Sequence, residues 1–260
     1  MIEQLRAGSS AANARVALFD FDGTLSVIRS GWVETMVPMM VEILAGLKTG
    51  ESEQELTAIV KEFVGRLTGK QTMYQMIELA EQVKQRGGTP EDPLEYKHRY
   101  LRLLWDRIKD RVHELQQGHC GPEKYLVPGS IELLTALKER GLKLYLASGT
   151  DEAYMKEEAR LLGLNPYFDG GIFGALDDYQ AFSKAILIQR IISNSEAAGD
   201  QLLGFGDGYV EIENVKQVGG VAVGIASDEP ACQRVDEWKR ERLASVGADY
   251  IVPNILCHEE

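Results

Sequence analysis

Apolar and polar positions follow two different rhythms along this chain, and the change of rhythm divides it. Five short apolar runs read as buried strands: VALF (16–19), LKLYLA (142–147), GGIFG (170–174), QLLGFG (201–206) and VAVGIA (221–226). A sixth run, DYIV (249–252), reads as an edge strand. Helical patterns separate most of them. In IELLTALKER (131–140), Ile131, Leu134 and Leu137 share a face, with Ser130 as N-cap and Gly141 as the stop. Thr150 or Asp151 is expected to cap the next helix, and Pro230 to open one over 231–246. Strands alternating with helices predict an α/β domain, a doubly wound parallel sheet covered on both faces.

Residues 28–120 break that rhythm. They hold no strand pattern but four amphipathic helical stretches, near 31–47, 52–67, 71–86 and 93–117. In the last, Leu101, Leu104, Trp105, Ile108, Val112 and Leu115 form a stripe with a 3.6-residue period. The expected organisation is a Rossmann-like core, residues 1–27 and 121–260, with a helical domain inserted at 28–120. SVIRSG (26–31) and the Gly- and Pro-rich GHCGPEKYLVPG (118–129) bound the insertion. Lys97, Arg99, Arg102, Arg107, Lys109 and Arg111 ring its last helix but are interrupted by Asp106 and Asp110, so they read as a solvated face.

Composition narrows the partners. The chain of 260 residues carries a net charge of −12, which argues against general affinity for nucleic acid or an anionic membrane. No run reaches the roughly 18 apolar residues of a membrane span. The first residues, MIEQLRAGSSAANA, have no basic region followed by an apolar core, so a cytoplasmic location is expected. Cys120, Cys232 and Cys257 have no ligand spacing and read as free thiols. Cys257-His258 reads as a frayed tail rather than a metal site. Nothing in the sequence speaks to oligomeric state.

The chemistry sits where strands end. In open α/β sheets, ligands bind just outside the carboxyl ends of the strands. Asp20 and Asp22 follow the first run, Ser148 follows LKLYLA, and Asp207 follows LLGFG. Lys184 opens a predicted helix in FSKAIL. Three carboxylates gathered without compensation would raise one another's pKa, and a hard cation resolves the repulsion. Mg²⁺ suits a few carboxylate oxygens plus water. Ser148 and Lys184 would then hold an anion. Metal, ammonium, hydroxyl and a free carboxylate together describe phosphoryl transfer.

These residues carry a family resemblance. DFDGTL (20–25), Ser148 in LASGT, Lys184 in FSKAI and GDGYVE (206–211) resemble the four ordered motifs of the haloacid dehalogenase superfamily. PGSIELLTALKERGLKLYLASG (128–149) resembles the approach to the second motif, and the likeness spans residues 14–252. The insertion resembles the helical cap of the class with phosphoglycolate phosphatases and β-phosphoglucomutases. The resemblance implies Asp20 as nucleophile, forming an aspartyl-phosphate, and Asp22 as the acid that protonates the leaving oxygen and later activates water. It implies Mg²⁺ held by Asp20, the Asp22 backbone carbonyl and Asp207. Ser148, Gly149 and Lys184 would grip the phosphoryl oxygens. Dehalogenases lack the second aspartate, so Asp22 favours phosphate esters or anhydrides. One departure is Glu211, where the fourth motif often has aspartate; it is expected beside the metal, at a metal-bound water or at Lys184.

The insertion is expected to close over the site and contact a small phosphorylated metabolite. Arg29 at the first boundary and Lys70 and Gln71 in TGKQTMY (68–74) are the candidate contacts. His98, His113 and His119 read as ordinary surface or packing residues. Hydrolysis is the expected reaction, with a β-phosphoglucomutase-like phosphomutase as the alternative. A non-enzymatic phosphoacceptor of the receiver type shares the doubly wound fold, but is usually much shorter and has no helical insertion.

Overall fold

The computed structural model describes residues 2–176, 183–195 and 197–256; Cys257 and His258 lie outside them. Among the described residues, seven strands form one sheet: β1 (Glu3–Gln4), β2 (Val16–Phe19), β3 (Lys143–Asp151), β4 (Gly171–Ala175), β5 (Leu202–Gly206), β6 (Val221–Ile225) and β7 (Tyr250–Val252). Their order is β1-β7-β6-β5-β2-β3-β4, parallel throughout except that β1 runs antiparallel to β7. DYIV is therefore not at the edge. A two-residue strand covers it, too short to leave a periodic signal.

Alternation along β2 separates the two faces. Ala17 and Phe19 join the cluster containing Leu134, Leu137, Met155 and Ala159 of α5 (Ser130–Glu139) and α6 (Glu152–Leu161). Val16 and Leu18 face the cluster with Leu187, Ile212, Val215 and Leu243 of α7 (Lys184–Ser195), α8 (Tyr209–Gln217) and α9 (Glu237–Ser245). Phe19 stacks on Phe205 of the neighbouring strand, ring centroids 4.5 Å apart. β2 lies between β3 and β5, where successive crossovers leave in opposite directions. That reversal opens a crevice at the carboxyl ends of these three strands.

Four α-helices lie between β2 and α5: α1 (Val33–Ala45), α2 (Glu53–Arg66), α3 (Thr72–Gln85) and α4 (Pro93–Gln116). Ser52 and Glu55 form a reciprocal capping box at α2, and Asp92 caps α4. The buried stripe of α4 runs through Tyr96, Tyr100, Leu104, Ile108, Val112 and Leu115. Trp105 lies one position off that stripe and is exposed, set edge-on to His113. Lys97 is not on a solvated face. It is buried, and its Nζ donates to Asp151 Oδ1 at 2.6 Å. Arg111 likewise donates to the Ile28 and Ser30 carbonyls.

Several expected helix starts move. Ser130 is the first helical residue of α5 rather than its cap; Gly129 precedes it, and the Ser130 hydroxyl donates to the Val127 carbonyl. Asp151 flanks α6, but its carboxylate serves Lys97 and makes no cap bond. Helix α9 begins seven residues after Pro230, capped by Asp236, whose carboxylate accepts the Lys239 N–H. The segment before it is a loop because Asp228 accepts the N–H groups of Gln233 and Arg234, offering the backbone an alternative to helix. No described helix is long and apolar enough to cross a membrane. Cys120 and Cys232 are free thiols.

Candidate active site

The crevice at the ends of β2, β3 and β5 brings the motif residues into one chamber. Asp20, Asp22, Ser148, Gly149, Lys184 and Asp207 all line it. Asp20 leaves β2 buried, with Lys184 Nζ donating to its Oδ1 at 2.7 Å. Two residues on, Asp22 accepts the Thr150 hydroxyl at 2.7 Å and the Ser148 hydroxyl at 3.3 Å. Ser148, Gly149 and Thr150 occupy the irregular stretch of β3, where the register with β4 shifts between Ala147 and Asp151. Such shifts re-aim side chains, and here they turn two hydroxyls toward Asp22.

Electrostatics at these carboxylates favour the proton. Burial, with repulsion from Asp207 and Asp22, pushes the Asp20 carboxyl up to about 7 against the attraction of Lys184. Burial also raises Asp22, opposed by Arg29 and the Thr150 hydroxyl. Perturbed acids converging in a cleft are the usual mark of a working site.

The chemistry of the donors fits a hard cation. Asp20 and Asp207 offer carboxylate oxygens on a chamber wall, and Asp22 Oδ1 is buried without a hydrogen-bond partner. Among the described residues, no three carboxylate, imidazole or thiol side chains together form a metal cage. That is compatible with Mg²⁺, which keeps several waters and needs only one or two carboxylates. Glu211 meets Lys184, one of its expected partners, through Oε1, and its Oε2 is buried without a partner.

The expected contacts from the insertion divide. Lys70 lines the chamber at its exposed rim, its Nζ 5.6 Å from the Tyr74 ring centroid. Gln71 is buried and lines an adjoining recess instead. The loop carrying them approaches the core closely. A side chain at Gly149 would put Cβ 2.6 Å from the Lys70 carbonyl oxygen. Gly69, at φ +94°, would drive one into the Glu211 carboxylate. Arg29 lines the chamber but is committed. Its Nε and Nη2 donate to Glu158 at 3.0 and 2.7 Å, both groups buried, and its Nε lies 3.8 Å from Asp22. Burial opposes the Arg29 charge, yet Glu158 and Asp22 hold its pKa up.

Four residues escaped the sequence reading. Thr150 had the signal of a helix cap, Glu158 that of an exposed helical acid. Lys239 donates to Asp207 at 3.0 Å and to Glu229 at 2.5 Å, making a half-buried cluster at the chamber wall. Burial alone would lower the Lys239 pKa, but the two carboxylates raise it. Nothing local marked Lys239 or Glu229, since their partner Asp207 lies on another element.

A sequence model of the haloacid dehalogenase-like hydrolases matches residues 14–219. The chain belongs to this family of hydrolases. A search of curated proteins found no match. Among solved structures, a "predicted phosphoglycolate phosphatase" from Haemophilus somnus 129PT is similar at 16% identity and TM-score 0.60, covering 95% of this chain and 96% of that one. A phosphonoacetaldehyde hydrolase-like protein from Oleispira antarctica is similar at 14% identity and TM-score 0.60, with 97% and 93% covered. β-Phosphoglucomutase from Clostridium difficile is similar at 15% identity and TM-score 0.57, with 89% and 98% covered. At these identities the likeness speaks to fold.

Proposed function

We propose that this hydrolase is a Mg²⁺-dependent phosphatase of a small phosphorylated metabolite, working through an aspartyl-phosphate on Asp20. The observation that carries this reading is the buried Asp20 carboxylate, 2.7 Å from Lys184, in one chamber with Asp22, Ser148 and Asp207. Residues 28–120 act as the cap and the remainder as the core.

An Asp20 oxygen attacks phosphorus as the bond to the leaving oxygen breaks, and Asp22 gives that oxygen its proton. A water then attacks the same phosphorus and loses a proton to Asp22, and the bond to Asp20 breaks. The Ser148 and Thr150 hydroxyls hold the Asp22 carboxylate in place for both transfers. Lys184 and the Gly149 N–H bind phosphoryl oxygens, and Glu211 fixes the Lys184 ammonium rather than holding the metal. Asp20, Asp207 and the Asp22 carbonyl would hold Mg²⁺, whose charge offsets that of the phosphoryl group. The rim loop at Gly69 and Lys70 helps to exclude water.

Phosphate release from acetyl phosphate with Mg²⁺ tests the reading. Asp20→Asn is expected to lower kcat on the order of 10³-fold or more. A folded Asp20→Asn protein with the wild-type rate would overturn it.

A further inference from the structure

Resting on that reading of Asp20, we infer that the substrate's leaving group is short, uncharged and hydroxylated, and that Gln75 of α3 and Tyr100 of α4 recognise it. The chamber has two unlike ends. Its floor is the charged set around Asp20. Its roof is built by the inserted helices, and there two polar side chains stand without partners. Gln75 and Tyr100 are each 4% exposed, and both line the chamber. Among the described residues neither side chain makes a hydrogen bond, and neither is among the polar atoms sealed from solvent, so the amide and the phenol open onto the chamber. An amide and a phenol that open onto a chamber are free to exchange water for a ligand, and apolar residues would fill such a wall without selecting one. A ligand hydroxyl within the chamber satisfies both.

Charge narrows the class. Arg29 is neutralised by Glu158, Lys97 by Asp151, and Lys184 by Asp20 and Glu211. Lys70 stands at the exposed rim over Tyr74. Trp32, Met36 and Leu104 add apolar surface to the roof, beside the neutral Thr68 and Thr72. A carboxylate at this end would lose its water and meet neutral groups. A hydroxyl loses less and finds the amide and the phenol. The chamber is small, with a volume of about 80 Å³. A larger cavity of about 770 Å³ shares Trp32, Thr68 and Asp207 with it and runs between the insertion and α9. The partnerless pair faces the small chamber and not that cavity.

The test is steady-state hydrolysis with Mg²⁺ of glycerol 3-phosphate, 2-phosphoglycolate, adenosine 5′-monophosphate and acetyl phosphate. Glycerol 3-phosphate is expected to exceed 2-phosphoglycolate in kcat/KM by about tenfold or more, since a buried carboxylate is penalised beyond a hydroxyl. Gln75→Leu and Tyr100→Phe should each raise KM for glycerol 3-phosphate about three- to tenfold with kcat little changed, the loss of one neutral hydrogen bond. Both variants should keep the wild-type circular-dichroism spectrum and a cooperative thermal transition, which shows that they fold. Preference for 2-phosphoglycolate overturns the inference, as does preference for the nucleotide, which would need the larger cavity. Unchanged KM in both variants overturns it as well. In each of those cases Asp20-dependent turnover of acetyl phosphate leaves the reading of the site standing; its absence in the wild type overturns both.

Discussion

At Asp20 the folded protein and the unfolded chain disagree about a proton. The carboxyl is raised to about 7 by burial and by Asp207 and Asp22, whereas an unfolded aspartate titrates near 3.8. Between those values the native state holds a proton that the unfolded chain has released, so stability falls as pH rises through this window. Burial raises Asp22, Glu158 and Glu229 as well, and they act with the same sign. Metal-free protein is therefore expected to lose stability between pH 5 and pH 8 relative to Asp20→Asn, by a few kcal/mol at most. Mg²⁺ at pH 8 should restore part of that loss. Melting temperatures of both proteins across this range check it, and a difference that does not vary with pH would refute it.

At the scale of elements, what the sequence revealed depended on how local its cause was. VALF and LLGFG were legible as strands because a fully buried strand is apolar on both faces, and Asp20 and Asp207 were legible because they end those strands. The capping box of α2 also lies within a few residues. Helix α9 was misplaced because Asp228 captures backbone N–H groups that a helix would need, a competition invisible in a pattern of apolar positions. Only Leu243 of α9 is buried, so the helix had little periodicity to read. Thr150 and Lys239 were missed because their partners, Asp22 and Asp207, come from distant points of the chain. The Asp236 cap is what defines the start of α9. Asp236→Ala should cost about 1 kcal/mol in chemical denaturation. It should also loosen Lys239, whose own N–H the cap accepts; an unchanged denaturation midpoint would count against this role.

Across the whole molecule, one apolar cluster runs from the sheet into the inserted helices, and a few polar clasps add to it. Lys97 reaches Asp151, Arg111 holds the carbonyls that follow β2, and Arg242 of α9 donates to the Gly65 carbonyl in α2 while its guanidinium lies 4.3 Å from the Trp238 ring centroid. Gly65 permits that approach, since a Cβ there would collide with the guanidinium. The two connections to the insertion run side by side, since the Val27 N–H bonds the Tyr125 carbonyl and the Val127 N–H bonds the Leu25 carbonyl.

The short strand β1 has a consequence for any shortened form of the molecule. The family match begins at residue 14, but the sheet begins at residue 3. Glu3 is gripped by Arg240, while Ser9 bonds Asp249 and Tyr250, so the leading segment is sewn onto the last strand. Removing residues 1–13 would uncover the β7 backbone as an open rim, a template for pairing with other chains. Such a truncation should associate on concentration more strongly than the full chain, visible by light scattering, although every residue that lines the chamber is retained.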